Sequence, residues 1–207
     1  MKCRFSLSYR DLEEMMAIRG ATIDHSTVQR WVVRFARLID ERVRQRKRSV
    51  NSSWRMDETY IKLNGKWVYL YRAVDKYGDT VDFLLRARRD GVAAKAFFRK
   101  AFKENGVPQK VIVDKSGSNK WALDYFNAGR AKSAQFEIQQ IKYLNNNAEQ
   151  DHRFIKKRTR PMLGFKNFYS AKETISGIEN IRIIQKGQII GQQPNQSAFH
   201  NFAELMA

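Results

Sequence analysis

The spacing of apolar and polar positions predicts a pair of helices at the start of the chain. Apolar side chains three or four positions apart run through residues 9–19, and Ser8 is a suitable cap for this helix. Gly20 ends it, and after a short turn Asp24 or Ser26 caps a second helix. Helix, glycine-containing turn and helix form the helix-turn-helix pattern, but an ordinary helical hairpin has the same spacing. The pattern alone leaves both interpretations open.

The next part of the chain has strand patterns interrupted by helical ones. Strands are predicted over 54–63, 66–74 and 80–86, and the dipeptide Asn64-Gly65 between the first two is a strong hairpin signal. The predicted elements that follow are a helix over 92–104, a strand over 111–114, a helix over 120–126 and a strand over 136–143. Helices over roughly 148–158 and 170–185 close the domain, and the polar end is expected to be loosely held.

Three acidic residues lie where they can meet. Asp57 lies inside the first strand, Asp114 ends a buried one, and Glu149 lies at the start of a helix, with 34 residues between the last two. An acid in a strand, one at the end of a neighbouring strand and one on a helix can converge on a pair of divalent cations. Glu58 is left out of this site, because strand alternation turns it to the face opposite Asp57.

Composition and charge narrow the class of protein. The chain has 207 residues, of which 43% are hydrophobic and 12% aromatic, enough to fill a core. The net charge of +18 points to a polyanionic partner, by default nucleic acid, although a generic basic protein fits the charge alone. No apolar run is long enough to span a bilayer, and no signal peptide is visible. One cysteine and three histidines exclude an internal disulfide, make a zinc finger implausible and favour a reducing compartment.

The motifs around the acids resemble those of the DDE transposases of bacterial insertion sequences, of the IS-six type. The similar stretches are Met56-Asp57-Glu58-Thr59-Tyr60, Tyr69-Leu70-Tyr71-Arg72-Ala73-Val74-Asp75, Lys142-Tyr143-Leu144-Asn145-Asn146, Glu149-Gln150-Asp151-His152 and Leu163-Gly164-Phe165-Lys166. The resemblance covers roughly residues 6–188 and identifies the three acids as the DDE triad. It implies an α/β fold of the ribonuclease H-like class, a mixed five-stranded sheet flanked by helices, preceded by a small all-α helix-turn-helix region.

The resemblance also implies an activity. Such a transposase nicks the ends of its own insertion sequence and joins them to target DNA through a free 3′ hydroxyl. Two Mg²⁺ or Mn²⁺ ions would be bound, with Asp57 bridging both, Asp114 holding one and Glu149 the other. The implied partner is double-stranded DNA, both terminal inverted repeats and target, with a homo-oligomer on the paired ends and no membrane. The expected location is the bacterial cytoplasm, in association with the nucleoid.

Residues expected to contact DNA lie in the second helix and near the acids. The second helix would offer a groove the side chains of Ser26, Thr27, Gln29, Arg30 and Arg34. Lys115, next to Asp114, and Lys156, two helical turns after Glu149, would contact phosphate. For Lys156 a solvated charge is the alternative. His152 would orient DNA or a neighbouring carboxylate, or lie on the helix surface.

The predicted domain organisation is sequential. A helix-turn-helix region with its first helix missing covers 1–40, a basic linker 41–53, the DDE catalytic domain 54–186 and a polar tail 187–207. Family members normally have a further helix upstream, so the start is either truncated or weakened. The basic run of the linker suits a hinge across a DNA backbone or the solvated end of a helix. Two other functions stay open: a transposase remnant that only binds DNA, and a ribonuclease H-like nuclease acting on structured DNA.

Overall fold

Along the sequence, helices precede and follow a middle section that contains the strands. The computed structural model describes residues 2–141, 146–162, 164–193 and 195–207, and along 146–151 it describes the helix without the side chains. The elements in these ranges are α1 (Tyr9–Ile18), α2 (His25–Arg46), β1 (Ser53–Leu63), β2 (Lys66–Asp75), β3 (Thr80–Arg86), α3 (Gly91–Asn105), β4 (Lys110–Val113), α4 (Gly117–Ala128), β5 (Glu137–Gln140), α5 (Asn146–Thr159), α6 (Phe168–Gln185) and α7 (Ala198–Met206). None of the described helices combines the length and the apolar character needed to cross a membrane.

Side-chain caps begin the first two helices. Ser8 Oγ accepts a hydrogen bond from the N–H of Asp11 at 3.0 Å, and the Asp11 carboxylate accepts one from the N–H of Ser8 at 2.6 Å. Asp24 caps α2 by accepting from the N–H of Ser26 at 2.8 Å. Gly20 separates the two helices with φ of 79°, a conformation that favours glycine. The predicted pair of helices is therefore present.

Helix α2 is longer than the sequence pattern predicted. It continues to Arg46, so the first part of the stretch interpreted as a linker is helical. The helix packs along α6, and Asp40 links the two by accepting hydrogen bonds from Asn180 Nδ2 at 3.0 Å and Ser176 Oγ at 3.2 Å. The buried side chain of Val43 lies on the same helix. Packing of α2 against α6 stabilises the helix, which explains why α2 continues into the basic stretch that ends at Arg46.

The five strands form one mixed sheet in the order β3-β2-β1-β4-β5. β2 and β3 are antiparallel, whereas β4 is parallel to both β1 and β5. The turn between β1 and β2 has φ of 46° at Asn64 and 75° at Gly65, which is the two-residue hairpin that the dipeptide predicted. Three meandering strands followed by two parallel ones are the ribonuclease H-like order. The predicted fold class is confirmed.

The chain divides into two compact units. One contains Ser49–Ile61 and Lys66–Arg153, and its core lies between the sheet and helices α3 and α4. Aromatic residues are prominent there: Trp54, Tyr71, Phe97, Phe98 and Phe136. The apolar faces of α3 and of the sheet strands are buried together, as their sequence patterns require.

The other unit contains Met1–Arg48, Lys62–Gly65 and Phe154–Ala207. One of its buried clusters consists of Val43, Ile183, Ile184, Ile189 and Leu205. The last of these belongs to α7, so the expectation of a loosely held end is wrong for residues 198–206. The polar residues around Gln192 are followed by this short amphipathic helix. Its apolar side is buried only by contacts with other parts of the folded chain.

Candidate active site

Asp57 and Asp114 are brought together by the pairing of two parallel strands. β1 and β4 are in register at Arg55 and Ile112, and the two aspartates follow two residues later, Asp57 within β1 and Asp114 directly after β4. Adjacent parallel strands run in the same direction, so equivalent positions beyond the last pair remain neighbours. Oxygens of both carboxylates belong to a group whose members all lie within 4.8 Å of one another.

Glu58, which the sequence analysis left out of the site, is the third member of this group. Burial along β1 changes phase at this point. The buried side chains are Trp54 and Met56 before it, and Thr59 and Ile61 after it. The carboxylates of these consecutive residues both offer oxygens to the group, and the N–H of Glu58 donates to Asp57 Oδ1 at 2.9 Å.

Asp114 is held by donors that the sequence did not single out. Asn119 Nδ2 donates to Asp114 Oδ1 at 3.1 Å and lies at the same distance of 3.1 Å from Glu58 Oε1. Arg89 Nη2 donates to Asp114 Oδ2 at 3.2 Å, and Arg89 Nε lies 3.5 Å from Glu58 Oε1. The N–H of Ser116 also donates to Asp114 Oδ1, at 3.1 Å. No sequence pattern predicts that Arg89 or Asn119 contacts Asp114, because only the folding of the chain brings these residues together.

Burial controls the protonation of this group. It raises the pKa of Asp57 to about 6, and the neighbouring carboxylates of Glu58 and Asp114 contribute in the same direction. Burial also raises the pKa of Glu58. For Arg89, burial works against the charged form, but Glu58, Tyr60 and Asp114 raise the pKa of its guanidinium above the ordinary value. The site favours additional positive charge.

His152 lies beside Asp57. Its Nδ1 is 3.6 Å from Asp57 Oδ2, and its side chain is buried. Of the alternatives predicted for His152, the structure supports orientation of a neighbouring carboxylate and contradicts a surface position.

Glu149 lies in α5, but its side chain is outside the described residues. Lys115 is exposed next to Asp114, and Lys156 is half-buried in α5.

The donor set fits a hard divalent cation. Carboxylate oxygens are the ligands that Mg²⁺ and Mn²⁺ prefer, and three of them converge here. Glu58 Oε2 is buried and has no hydrogen-bond partner among the described residues. A buried carboxylate oxygen in this state is costly unless a proton or a cation offsets its charge. Divalent metal chemistry is thus compatible with the residues present.

The predicted DNA-contacting side chains of α2 are of two kinds. Ser26 and Thr27 donate their hydroxyls to Asp24, the cap of the helix, and Arg30 Nη2 donates to Thr27 Oγ1 at 2.8 Å. These hydroxyls therefore serve the helix start. An open recess of about 660 Å³ is lined by Ser26, Gln29, Arg30, Val33, Arg34, Tyr169 and Ser170. Gln29, Arg30 and Arg34 are exposed, and whether they read DNA stays a prediction.

The strand order and the acidic cluster formed by the middle of β1 and the residue after β4 define a ribonuclease H-like protein with a carboxylate site. The family model described as a DDE domain, of the IS240 transposase type, matches residues 51–188. The chain is 42% identical over 187 residues to the transposase for insertion sequence-like element IS431mec of Staphylococcus aureus strain Mu50, covering 88% of this chain and 80% of that protein. The identity and both coverages are the same, 42%, 88% and 80%, for the Staphylococcus aureus transposase of insertion sequence element IS257 in transposon Tn4003. The chain belongs to the DDE transposases of insertion sequences.

Solved structures of viral integrases are more distant. The catalytic core domain of BIV integrase gives a TM-score of 0.47 at 13% identity, covering 74% of this chain and 95% of that one. The HTLV-2 integrase catalytic core domain in complex with magnesium, in its trimeric form, gives 0.44 at 14% identity, with coverages of 78% and 86%. At these values the fold assignment rests on the strand order of this chain.

Proposed function

We propose that this transposase nicks DNA at the ends of its own insertion sequence and joins the freed 3′ hydroxyl to target DNA. The observation that carries the proposal is the position of Asp57, within β1, beside Asp114, directly after the parallel strand β4, in a segment that matches the DDE domain. The relatives named above are insertion-sequence transposases, which supports the same reaction here.

Asp57, Asp114 and Glu149 are the proposed catalytic acids and the ligands of two Mg²⁺ or Mn²⁺ ions. The converging oxygens of the two aspartates support their part of this assignment. For Glu149 the support is its place in α5, three residues before His152, whose imidazole contacts Asp57. Bound at these acids, the ions would supply activation of the attacking oxygen and stabilisation of the leaving oxygen.

Neighbouring side-chain and backbone groups orient the acids through hydrogen bonds and close contacts. Asn119 and the N–H of Ser116 fix one oxygen of Asp114, while His152 stands against Asp57. With its pKa at about 6, Asp57 is ionised at the mildly alkaline pH usual for DNA-processing assays, as a metal ligand must be. The attacking groups in the proposed reaction are water and a DNA hydroxyl, so no side chain has to form a covalent intermediate.

DNA binding is proposed to use three places on the chain. Gln29, Arg30 and Arg34 on α2, with Ser26 and Thr27 at its start, would contact terminal-repeat DNA, while Lys115 and Lys156 would contact phosphate. The net charge of +18 supports a polyanionic partner. We further propose a homo-oligomer on paired DNA ends, acting at the nucleoid of a bacterial cell.

A nicking assay tests the proposed function. Labelled duplexes that carry the element ends, or scrambled sequence, are incubated with the protein and Mg²⁺ or Mn²⁺. We expect metal-dependent cleavage that leaves a free 3′ hydroxyl at the element end and is absent for Asp57→Ala. Cleavage that persists in Asp57→Ala would contradict the proposed site. End-specific binding without cleavage would favour the DNA-binding remnant, and cleavage without end preference would favour a nuclease.

A further inference from the structure

Glu58 stands beside the two aspartates, although the DDE triad does not include it. Its carboxylate and those of Asp57 and Asp114 offer oxygens that all lie within 4.8 Å of one another. We propose that Glu58 is a fourth carboxylate of the metal centre. Its Oε1 holds the groups that orient Asp114, and its Oε2 binds a divalent cation together with the aspartates. This inference rests on the function proposed above and deepens it.

The first oxygen of Glu58 belongs to a ring of contacts that includes Asp114. The side-chain amide of Asn119 bridges the two acids at 3.1 Å to each. Arg89 also spans them, at 3.2 Å to Asp114 Oδ2 and 3.5 Å to Glu58 Oε1. Asn119 is buried, so its orientation is set by these acceptors. Loss of the Glu58 charge therefore loosens the two side-chain donors to Asp114.

The second oxygen of Glu58 is the one that points to a ligand. The side chain is 3% exposed, and Oε2 has no hydrogen-bond partner among the described residues. A buried carboxylate oxygen requires a compensating charge or donor. Oxygens that bind one ion at about 2.1–2.6 Å lie at most about 5 Å apart. The spread of 4.8 Å among the carboxylates is within that limit.

A purely structural role for Glu58 makes a different prediction. In that case Glu58 would serve only to hold Asn119 and Arg89, and its charge would be irrelevant to the metal. Glu58→Gln separates the two roles, because glutamine keeps the size of the side chain and a carbonyl oxygen that accepts from Asn119. It lacks the negative charge and the second acceptor oxygen that a cation requires.

Isothermal titration calorimetry of Mn²⁺ binding to the 207-residue chain without DNA tests the proposal. We expect Glu58→Gln to weaken Mn²⁺ binding by about tenfold or more, the scale of changes next to metal ligands. Glu14→Gln is the matched control, because Glu14 is exposed on α1, and it is expected to bind like the wild type. Thermal unfolding in EDTA checks that the variants are folded. Glu58→Asp keeps the charge on a shorter side chain and is expected to show intermediate affinity.

The outcomes separate this inference from the proposed function. Wild-type Mn²⁺ affinity in Glu58→Gln overturns the role of Glu58, while nicking by the wild type still supports the transposase. If Glu58→Gln does not fold, wild-type affinity in Glu58→Asp overturns it instead. A wild-type protein that neither binds Mn²⁺ nor nicks element ends overturns the proposed function itself.

Discussion

His152 Nδ1 lies 3.6 Å from Asp57 Oδ2, and this contact connects helix α5 to strand β1. The imidazole is almost completely buried, with 5% of its side chain exposed, whereas 25% of the Asp57 side chain is exposed. A buried ring beside a half-buried acid restricts the rotation of that acid. The site thus includes residues that orient the proposed metal ligands as well as the ligands themselves.

Replacement of His152 tests this orienting role. We expect His152→Ala to lower the rate of metal-dependent nicking by roughly tenfold to a hundredfold, the range for groups that orient metal ligands, without weakening DNA binding. His200→Ala is the matched control, because His200 is exposed on α7. Rates are measured on labelled duplex, and affinity by fluorescence anisotropy. Equal nicking by His152→Ala and wild type would show that Asp57 does not need the imidazole.

Asp114→Asn is expected to abolish metal-dependent cleavage while DNA affinity stays intact. The amide keeps the shape of the side chain but removes the charge of a proposed metal ligand, worth several kcal/mol of transition-state stabilisation, so the rate should fall more than about a hundredfold. Asp124→Asn, at an exposed position on α4, is the control. Nicking at wild-type levels by Asp114→Asn would remove Asp114 from the mechanism.

Asp57→Asn is expected to stabilise the metal-free protein at about pH 8. Burial raises the pKa of Asp57 from 3.8 to about 6 in the folded state, so the folded chain binds this proton more tightly than the unfolded chain. The stability contributed by the proton is complete below the unfolded pKa and is lost as pH rises through about 6. Asparagine does not ionise in this pH range, so the variant's free energy of unfolding at about pH 8 should exceed that of the wild type by on the order of 1–3 kcal/mol.

Urea unfolding in EDTA measures this effect. The difference between Asp57→Asn and wild type should shrink as the pH falls from about 8 to about 4. Asp124→Asn, at an exposed position on α4, is the matched control. A difference that does not change with pH would contradict the raised pKa of Asp57.

Arg30→Ala is expected to weaken the preference for terminal-repeat DNA over scrambled DNA. Arg30 is exposed on α2, and a side chain that contacts a base edge contributes roughly 1–3 kcal/mol of discrimination. Arg10→Ala removes the same charge from α1 and should reduce binding to both DNAs equally. Competition binding at fixed salt gives the ratio. An unchanged preference in Arg30→Ala would count against α2 as the reading helix.

Leu205→Ala tests the attachment of α7. Leu205 is 2% exposed and packs in a cluster with Val43 and Ile184, so its truncation should cost about 2–5 kcal/mol of unfolding free energy. Phe199→Ala on the same helix is the control, because Phe199 is 67% exposed and its loss should cost little. The unfolding free energies come from urea titrations. Equal stability of the two variants would mean that α7 does not dock.

The hydrophobic pattern was sufficient to predict most of the elements. The hairpin at Asn64-Gly65 and the strand just before Asp114 follow from local turn chemistry and from an apolar run, both visible in the sequence. Helix α7 was not predicted. It follows a polar segment, and its apolar side is buried only by packing against other helices.

The sequence by itself determined the order of the elements and two of the proposed acids, since local propensity and the spacing of Asp57 and Asp114 do not depend on distant contacts. Only the tertiary structure decided that Glu58 joins them, because the pairing of β1 with β4 brings its carboxylate close to those of Asp57 and Asp114. It also decided that Arg89, Asn119 and His152 surround the acids. These contacts join residues far apart in the chain, and such pairs are set by packing and strand register, which no local pattern encodes.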